Sequence, residues 1–157
     1  MSLKGDRPAN ILVVGIGNPL RCDDGVGPYI AGCIETRGLS GVHVRTVQQL
    51  LLEDLEEMLQ YDQVILADAS VSGPPVDFRP VEKFSGQLLS SSHHLSAELF
   101  VNLAAGVYHK DLKLHLCCVK GHSFEVGDKI SDFVLQRAGE AVDLIAGFIN
   151  NMTKGKV

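Results

Sequence analysis

The sequence predicts an α/β sandwich: a twisted, mostly parallel five-stranded sheet with one antiparallel edge strand and helices on both faces. Three observations carry that expectation. Short β-branched apolar runs alternate along the chain with segments whose apolar residues recur every three or four positions. The runs 11–14 (Ile-Leu-Val-Val) and 63–67 (Gln-Val-Ile-Leu-Ala) are almost wholly apolar, as strands covered on both faces must be. One extended segment, 78–83, follows a strand with no helix between them, so it turns back antiparallel, and Pro80 confines it to an edge.

The elements follow in order. The first strand is 11–14, ended by Gly15. After a long loop, Val26, Ile30, Cys33 and Ile34 fall at helical spacing, and Gly38 closes that helix. Val42, Val44 and Thr46 alternate with His43, Arg45 and Val47 in a second strand. Leu51, Leu55, Met58 and Leu59 form one stripe of a second helix, with Glu53, Asp54, Glu56 and Glu57 on its wet side. The third strand, 63–67, ends at Asp68; a Ser/Gly/Pro loop then leads to the edge strand. Leu95, Leu99, Leu103 and Val107 predict a third helix. Residues 112–119 alternate as a half-buried strand, and Ile130, Val134, Ala138, Ala141, Ile145 and Phe148 predict a long last helix.

With 157 residues, 45% of them hydrophobic and 21% charged, the chain can bury one real core, so residues 1–157 read as a single domain with its core at about 10–150. The net charge of −5 argues against a nucleic-acid partner. The sequence has no apolar run of ~18 residues, so no membrane partner is expected. The N-terminal stretch is polar and does not read as a secretory signal. Cys22, Cys33, Cys117 and Cys118 form no C-x-x-C pair and read as reduced thiols of a cytoplasmic protein. A monomer is compatible with this charge and size.

In open α/β sheets, ligands bind beyond the carboxyl ends of the strands. Strand one is followed there by Gly15-Ile16-Gly17-Asn18-Pro19-Leu20-Arg21-Cys22-Asp23-Asp24-Gly25-Val26-Gly27. This is no dinucleotide fingerprint. Leu20 stands where the third glycine is needed, and two carboxylates at the helix start would repel a pyrophosphate. One of Asp23 and Asp24 can cap the helix while the other points into the crevice. Asp68 stands at the end of a buried strand, and His93 and His94 precede the third helix. His122, just past the last strand, is a further rim candidate, whereas His43 and His115 fall on outward-alternating positions. Two acids and a histidine at one sheet edge suit a divalent transition ion such as nickel or zinc, with positions left for water or substrate. The residues are far apart in sequence, so the fold must assemble them.

The pattern Gly15-x-Gly17-Asn18-x-Leu20-x-x-Asp23-Asp24-Gly25-x-Gly27, followed by Ile65-Leu66-Ala67-Asp68-Ala69 and Ser92-His93-His94-Leu95, resembles the signature of the nickel–iron hydrogenase maturation endopeptidases. The resemblance runs over residues 10–150. Val47-Gln48-Gln49-Leu50, His93-His94-Leu95-Ser96 and Ser123-Phe124-Glu125 look like the branch serving the cytoplasmic, soluble bidirectional or F420/NAD-linked hydrogenases. The resemblance implies an endopeptidase that cuts a C-terminal extension from the hydrogenase large-subunit precursor once nickel has been inserted. It implies nickel ligation by Asp24, Asp68 and His93, with nickel supplied by the precursor and zinc or cadmium able to take its place. It also implies catalytic parts for Asp24, Asp68 and Asp23, the last of them orienting the loop. Gly17, Asn18, His94 and Gln48, in the same motifs, are then expected at the substrate. Where the family often has Glu, Asp24 is one methylene shorter.

Three rivals remain at this stage. A non-enzymatic nickel-binding chaperone would use the same ligands without cutting a bond. A nucleotide-binding domain is opposed by Leu20, Asp23 and Asp24. A general peptidase is opposed by the absence of a self-contained catalytic motif such as G-x-S-x-G.

Overall fold

The computed structural model describes residues 9–83 and 92–154, with side chains of 92–96 outside the description. Its elements are β1 (Ile11–Ile16), α1 (Val26–Arg37), β2 (Val42–Val47), α2 (Asp54–Met58), β3 (Gln63–Ser70), β4 (Val76–Pro80), α3 (Ser92–Gly106), β5 (Leu114–Lys120) and α4 (Asp132–Lys154). The sheet order is β2-β1-β3-β5-β4. All pairs are parallel except β4 with β5, so the expected antiparallel edge strand is present.

Side-chain alternation divides the core into two layers. Ile11, Val13, Ile65, Ala67, Cys117 and Val119 face α1 and α4, meeting Val26, Ile30, Val134, Ala138 and Ile145. Leu12, Val14, Val64, Leu66, Leu114, Leu116 and Cys118 face the other way, against Leu55 and Met58 of α2 and Ala97, Phe100, Val101 and Ala104 of α3. The adjacent Cys117 and Cys118 thus point to opposite faces.

Four expectations need correction. The second helix is a short turn, because Leu51 and Leu52 lie in the preceding loop and are exposed. Its acids are not all solvated: Arg45 of β2 pairs with Glu57 and Asp54. On α3 the leucine stripe is only partly buried: Leu99 and Val107 are exposed and Leu103 packs against the core, while Ala97, Phe100, Val101 and Ala104 are fully buried and the Leu95 side chain lies outside the described residues. Two stripes of similar period run side by side there, and the alanine-containing one is buried. His115 is not solvent-facing. Its ring packs 4.3 Å from that of Phe148 and 5.3 Å from that of Phe78, and Nδ1 lies 2.9 Å from Gln63 Nε2. Burial lowers its pKa, which favours the neutral ring.

The four cysteines are free thiols. Burial pushes the Cys117 and Cys118 thiols up to about 12, with the nearby carboxylates of Asp77 and Asp68 adding to the effect. Alkylation of the folded chain at pH 8 is therefore expected to spare both, because the thiolate is the nucleophile. The half-buried Cys22 and Cys33 should label first. Peptide mass mapping before and after unfolding checks this; rapid labelling of Cys117 or Cys118 in the folded state would refute it.

Candidate active site

Strand order reverses between β1 and β3, since the chain leaves β1 for β2 on one side and returns to β3 on the other. That reversal opens a crevice at the carboxyl ends of β1 and β3. The loop 17–25 and the residue Asp68 both lie there.

Glycines bring these parts together. A Cβ on Gly27, in the first turn of α1, would collide with the carbonyl oxygens of Ile16 and Ala67. Only glycine lets α1 start directly on the ends of both strands. Asp24 stands three residues before Gly27, and Asp68 follows Ala67. Gly17 has φ 146°, and a Cβ there would strike the Asp24 carbonyl oxygen, so the loop folds back on itself at that point. Gly17 N–H donates to Val47 O at 2.9 Å, which ties the loop to the end of β2, next to the exposed Gln48.

The two adjacent acids have different environments. Asp24 is half-buried, and its Oδ2 accepts from the Asn18 backbone N–H at 2.7 Å. Its Oδ1 has no hydrogen-bond partner among the described residues. Asn18 Oδ1 in turn accepts from Leu20 N–H at 2.9 Å, closing an Asx turn. Asp68 is buried at the end of β3, opposite Cys118, and its Oδ1 accepts from Ala69 N–H at 2.8 Å.

Asp23 points the other way and is fully buried. Its Oδ1 accepts from Ser131 N–H at 2.7 Å. Its Oδ2 accepts from His122 N–H at 2.7 Å, Ser123 N–H at 3.0 Å and the Ser131 hydroxyl at 2.9 Å. The residue thus anchors the segment 121–131, between β5 and α4, onto the loop after β1. Both carboxylate oxygens of Asp23 are engaged by that segment. Gly121 is required beneath it, since a Cβ there would come within 2.9 Å of the Asp23 Cβ.

Burial alone would raise the Asp23 pKa, but the N–H donors of Ser131, His122 and Ser123 and the Ser131 hydroxyl outweigh it, and the value is lowered. A lowered folded pKa contributes stability that is fully present above the ordinary aspartate value and is lost as pH falls through the folded value. Asp23→Asn replaces one acceptor oxygen with an N–H₂ group facing N–H donors. The expected cost is about 3 kcal/mol, or a fall of roughly 10 °C in the thermal midpoint. The variant should also lose much of the wild type's steepening of acid unfolding below about pH 4. Calorimetry across pH checks both; an unchanged midpoint at pH 7 would remove the anchor.

His93 and His94 fall in the first turn of α3, and their side chains lie outside the described residues. Among the described residues, no group of three or more His, Cys, Asp or Glu side chains could hold a metal ion. Two of the three expected ligands, Asp24 and Asp68, are at the crevice. His122 is exposed, with its ring edge-to-face against Phe133 of α4 at 5.3 Å. The anchoring of 121–131 by Asp23 was not foreseen. Its traces in the sequence are Gly121 directly after a strand and Ser131 directly before a helix, features that alone are common.

Solved structures share this fold. The hydrogenase maturating endopeptidase HybD from E. coli matches with a TM-score of 0.74 and 23% identity, covering 91% of this chain and 93% of that one. The NiFe hydrogenase maturation protease HycI from Thermococcus kodakarensis KOD1 matches with a TM-score of 0.67 and 19% identity, over 92% of this chain and 95% of that one. HybD from Thermococcus kodakarensis gives 0.64 and 18%, over 89% and 99%. No family model and no curated protein matches the sequence.

Proposed function

We propose that this chain is an endopeptidase that removes the C-terminal extension of a nickel-loaded nickel–iron hydrogenase large-subunit precursor. The observation that carries the reading is the position of Asp24: held at one oxygen by Asn18 N–H, with the other lacking a partner among the described residues, in the loop that follows β1 at the switch point of the sheet. The fold shared with three maturation proteases supports it, as do the motifs around Asp24, Asp68 and His93.

The chemistry follows from this donor set. Two carboxylates and an imidazole suit nickel, and zinc or cadmium should compete for the same ligands. The ion arrives as part of the substrate. By completing its coordination with Asp24, Asp68 and His93, it would fix the precursor against the crevice, so that orientation supplies much of the rate. A carboxylate at the same edge would then take the proton of the attacking water. Asp23 holds the loop that carries Asp24, and Gly17, Asn18, Gln48 and His94 are the residues proposed to meet the precursor. The protein is proposed to act in the cytoplasm as a monomer. No helix among the described residues is long and apolar enough to cross a membrane.

The test is the intact mass of a nickel-loaded precursor before and after incubation with this protein. Loss of a single C-terminal peptide supports the reading. An unchanged mass with the precursor still bound would favour a nickel chaperone using the same three ligands.

A further inference from the structure

We propose that Asn18, besides the contact with the precursor given above, is a positioning residue: its turn holds one oxygen of Asp24, so that the other stays available to the substrate's ion. This part of Asn18 rests on the endopeptidase reading above.

A carboxylate that rotates freely must be ordered each time an ion binds, and that ordering costs entropy. Asp24 does not rotate freely. Its Oδ2 accepts from Asn18 N–H at 2.7 Å, a short bond to a charged acceptor. Its Oδ1 has no hydrogen-bond partner among the described residues. Which oxygen is held therefore depends on where Asn18 N–H points, and residues 17–21 decide that.

The sequence supplies each part of this turn. Gly17, with φ 146°, brings the chain into it. Residues 18–21 form a β-turn, closed by Arg21 N–H donating to Asn18 O at 3.0 Å. Pro19 stands at its second position, where the fixed φ of proline is already that of the turn. Proline also restricts the residue before it, Asn18, to extended conformations. The Asn18 side chain adds a second closure, with Oδ1 accepting from Leu20 N–H at 2.9 Å. An acceptor at that reach is offered by Asn and Asp, and more weakly by Ser. The turn is then fastened to the acid it serves. Asp24 N–H donates to Arg21 O at 3.1 Å, and a Cβ on Gly25 would come within 3.0 Å of Pro19 Cα.

Each polar group of Asn18 thus has its own task. The backbone N–H goes to Asp24, the backbone oxygen to Arg21 and Oδ1 to Leu20. Leu20 N–H requires an acceptor, which fixes the orientation of the Asn18 amide. Nδ2 is the group that remains for the precursor. The two parts of Asn18 are therefore chemically separable. Serine keeps a side-chain acceptor for the turn and has no Nδ2; alanine has neither.

The experiment titrates the full-length wild type, Asn18→Ala and Asn18→Ser with cadmium ion alone, so that no contact with the precursor enters the measurement. Partners that orient a metal ligand are typically worth 10–100-fold in affinity, so the cadmium Kd should rise about tenfold in Asn18→Ala. In Asn18→Ser it should stay within about threefold of the wild type, because the turn is retained. An unchanged Kd in Asn18→Ala, or equal weakening in both variants, overturns the positioning part. A wild type that takes up no cadmium overturns it as well, since Asp24 then holds no ion. Should Asn18→Ala fail to fold, amide exchange in the wild type decides. The N–H groups of Asn18 and Leu20 should exchange more than about tenfold slower than in an unstructured chain, and free exchange of either overturns the proposal. The endopeptidase reading is decided separately, by whether the wild type cuts the nickel-loaded precursor. The expected cadmium pattern without cutting leaves Asn18 aiming an ion-binding carboxylate and removes the peptidase alone.

Discussion

Asp24→Asn leaves the nickel-loaded precursor at full length, with its rate of processing reduced more than a hundredfold. The expected size follows from the number of donors. Loss of a group that merely orients a metal ligand typically costs 10–100-fold, and loss of one of three ligands should exceed that. The substitution is chosen to separate chemistry from folding. Asn keeps an oxygen that can accept from Asn18 N–H at the position where Asp24 Oδ2 does so at 2.7 Å. The loop turn is therefore retained, and the thermal midpoint should move by no more than a few degrees. His93→Ala should abolish processing likewise, with the circular dichroism of the folded protein preserved. A variant at Asp24 that still cuts at the wild-type rate would remove the carboxylate from the site.

A precursor that carries no nickel is expected to remain uncut under conditions where the loaded one is processed completely. The difference should exceed about a hundredfold, because orientation by the substrate's own ion replaces the unfavourable positioning of a flexible C-terminal segment. Efficient cutting of the nickel-free form would eliminate docking through the ion and leave a general carboxylate mechanism. The two measurements are complementary: one removes a donor from this chain, the other removes the ion from its substrate. If docking holds, either loss has the same outcome.

Much of the architecture is legible without coordinates because it rests on local chemistry. The continuous apolar runs at β1 and β3 and the 3.6-residue stripe of α4 name their elements directly. Pro80 and the missing helix before β4 fix the antiparallel edge. The α3 face was not legible in this way. Two apolar stripes ran side by side, and the leucines outweighed the alanines in the pattern but not in the packing. His115 was misread for a related reason: strict alternation assigns one face to solvent, yet Phe78 and Phe148 reach over from β4 and α4 to cover it.

The sequence by itself determined the candidate residues and their order along the chain. Asp24, Asp68 and His93 are named by motif and by place along the chain, as are the glycines that a tight loop needs. Only the tertiary structure decided that the adjacent acids have different surroundings. Asp23 and Asp24 are chemically identical neighbours, and no local rule tells them apart. The fold does so by bringing a third segment, 121–131, across β3 and presenting its N–H donors to one carboxylate alone. Contacts between residues about a hundred positions apart depend on where β5 and α4 settle against the sheet, and that is a property of the whole packed chain.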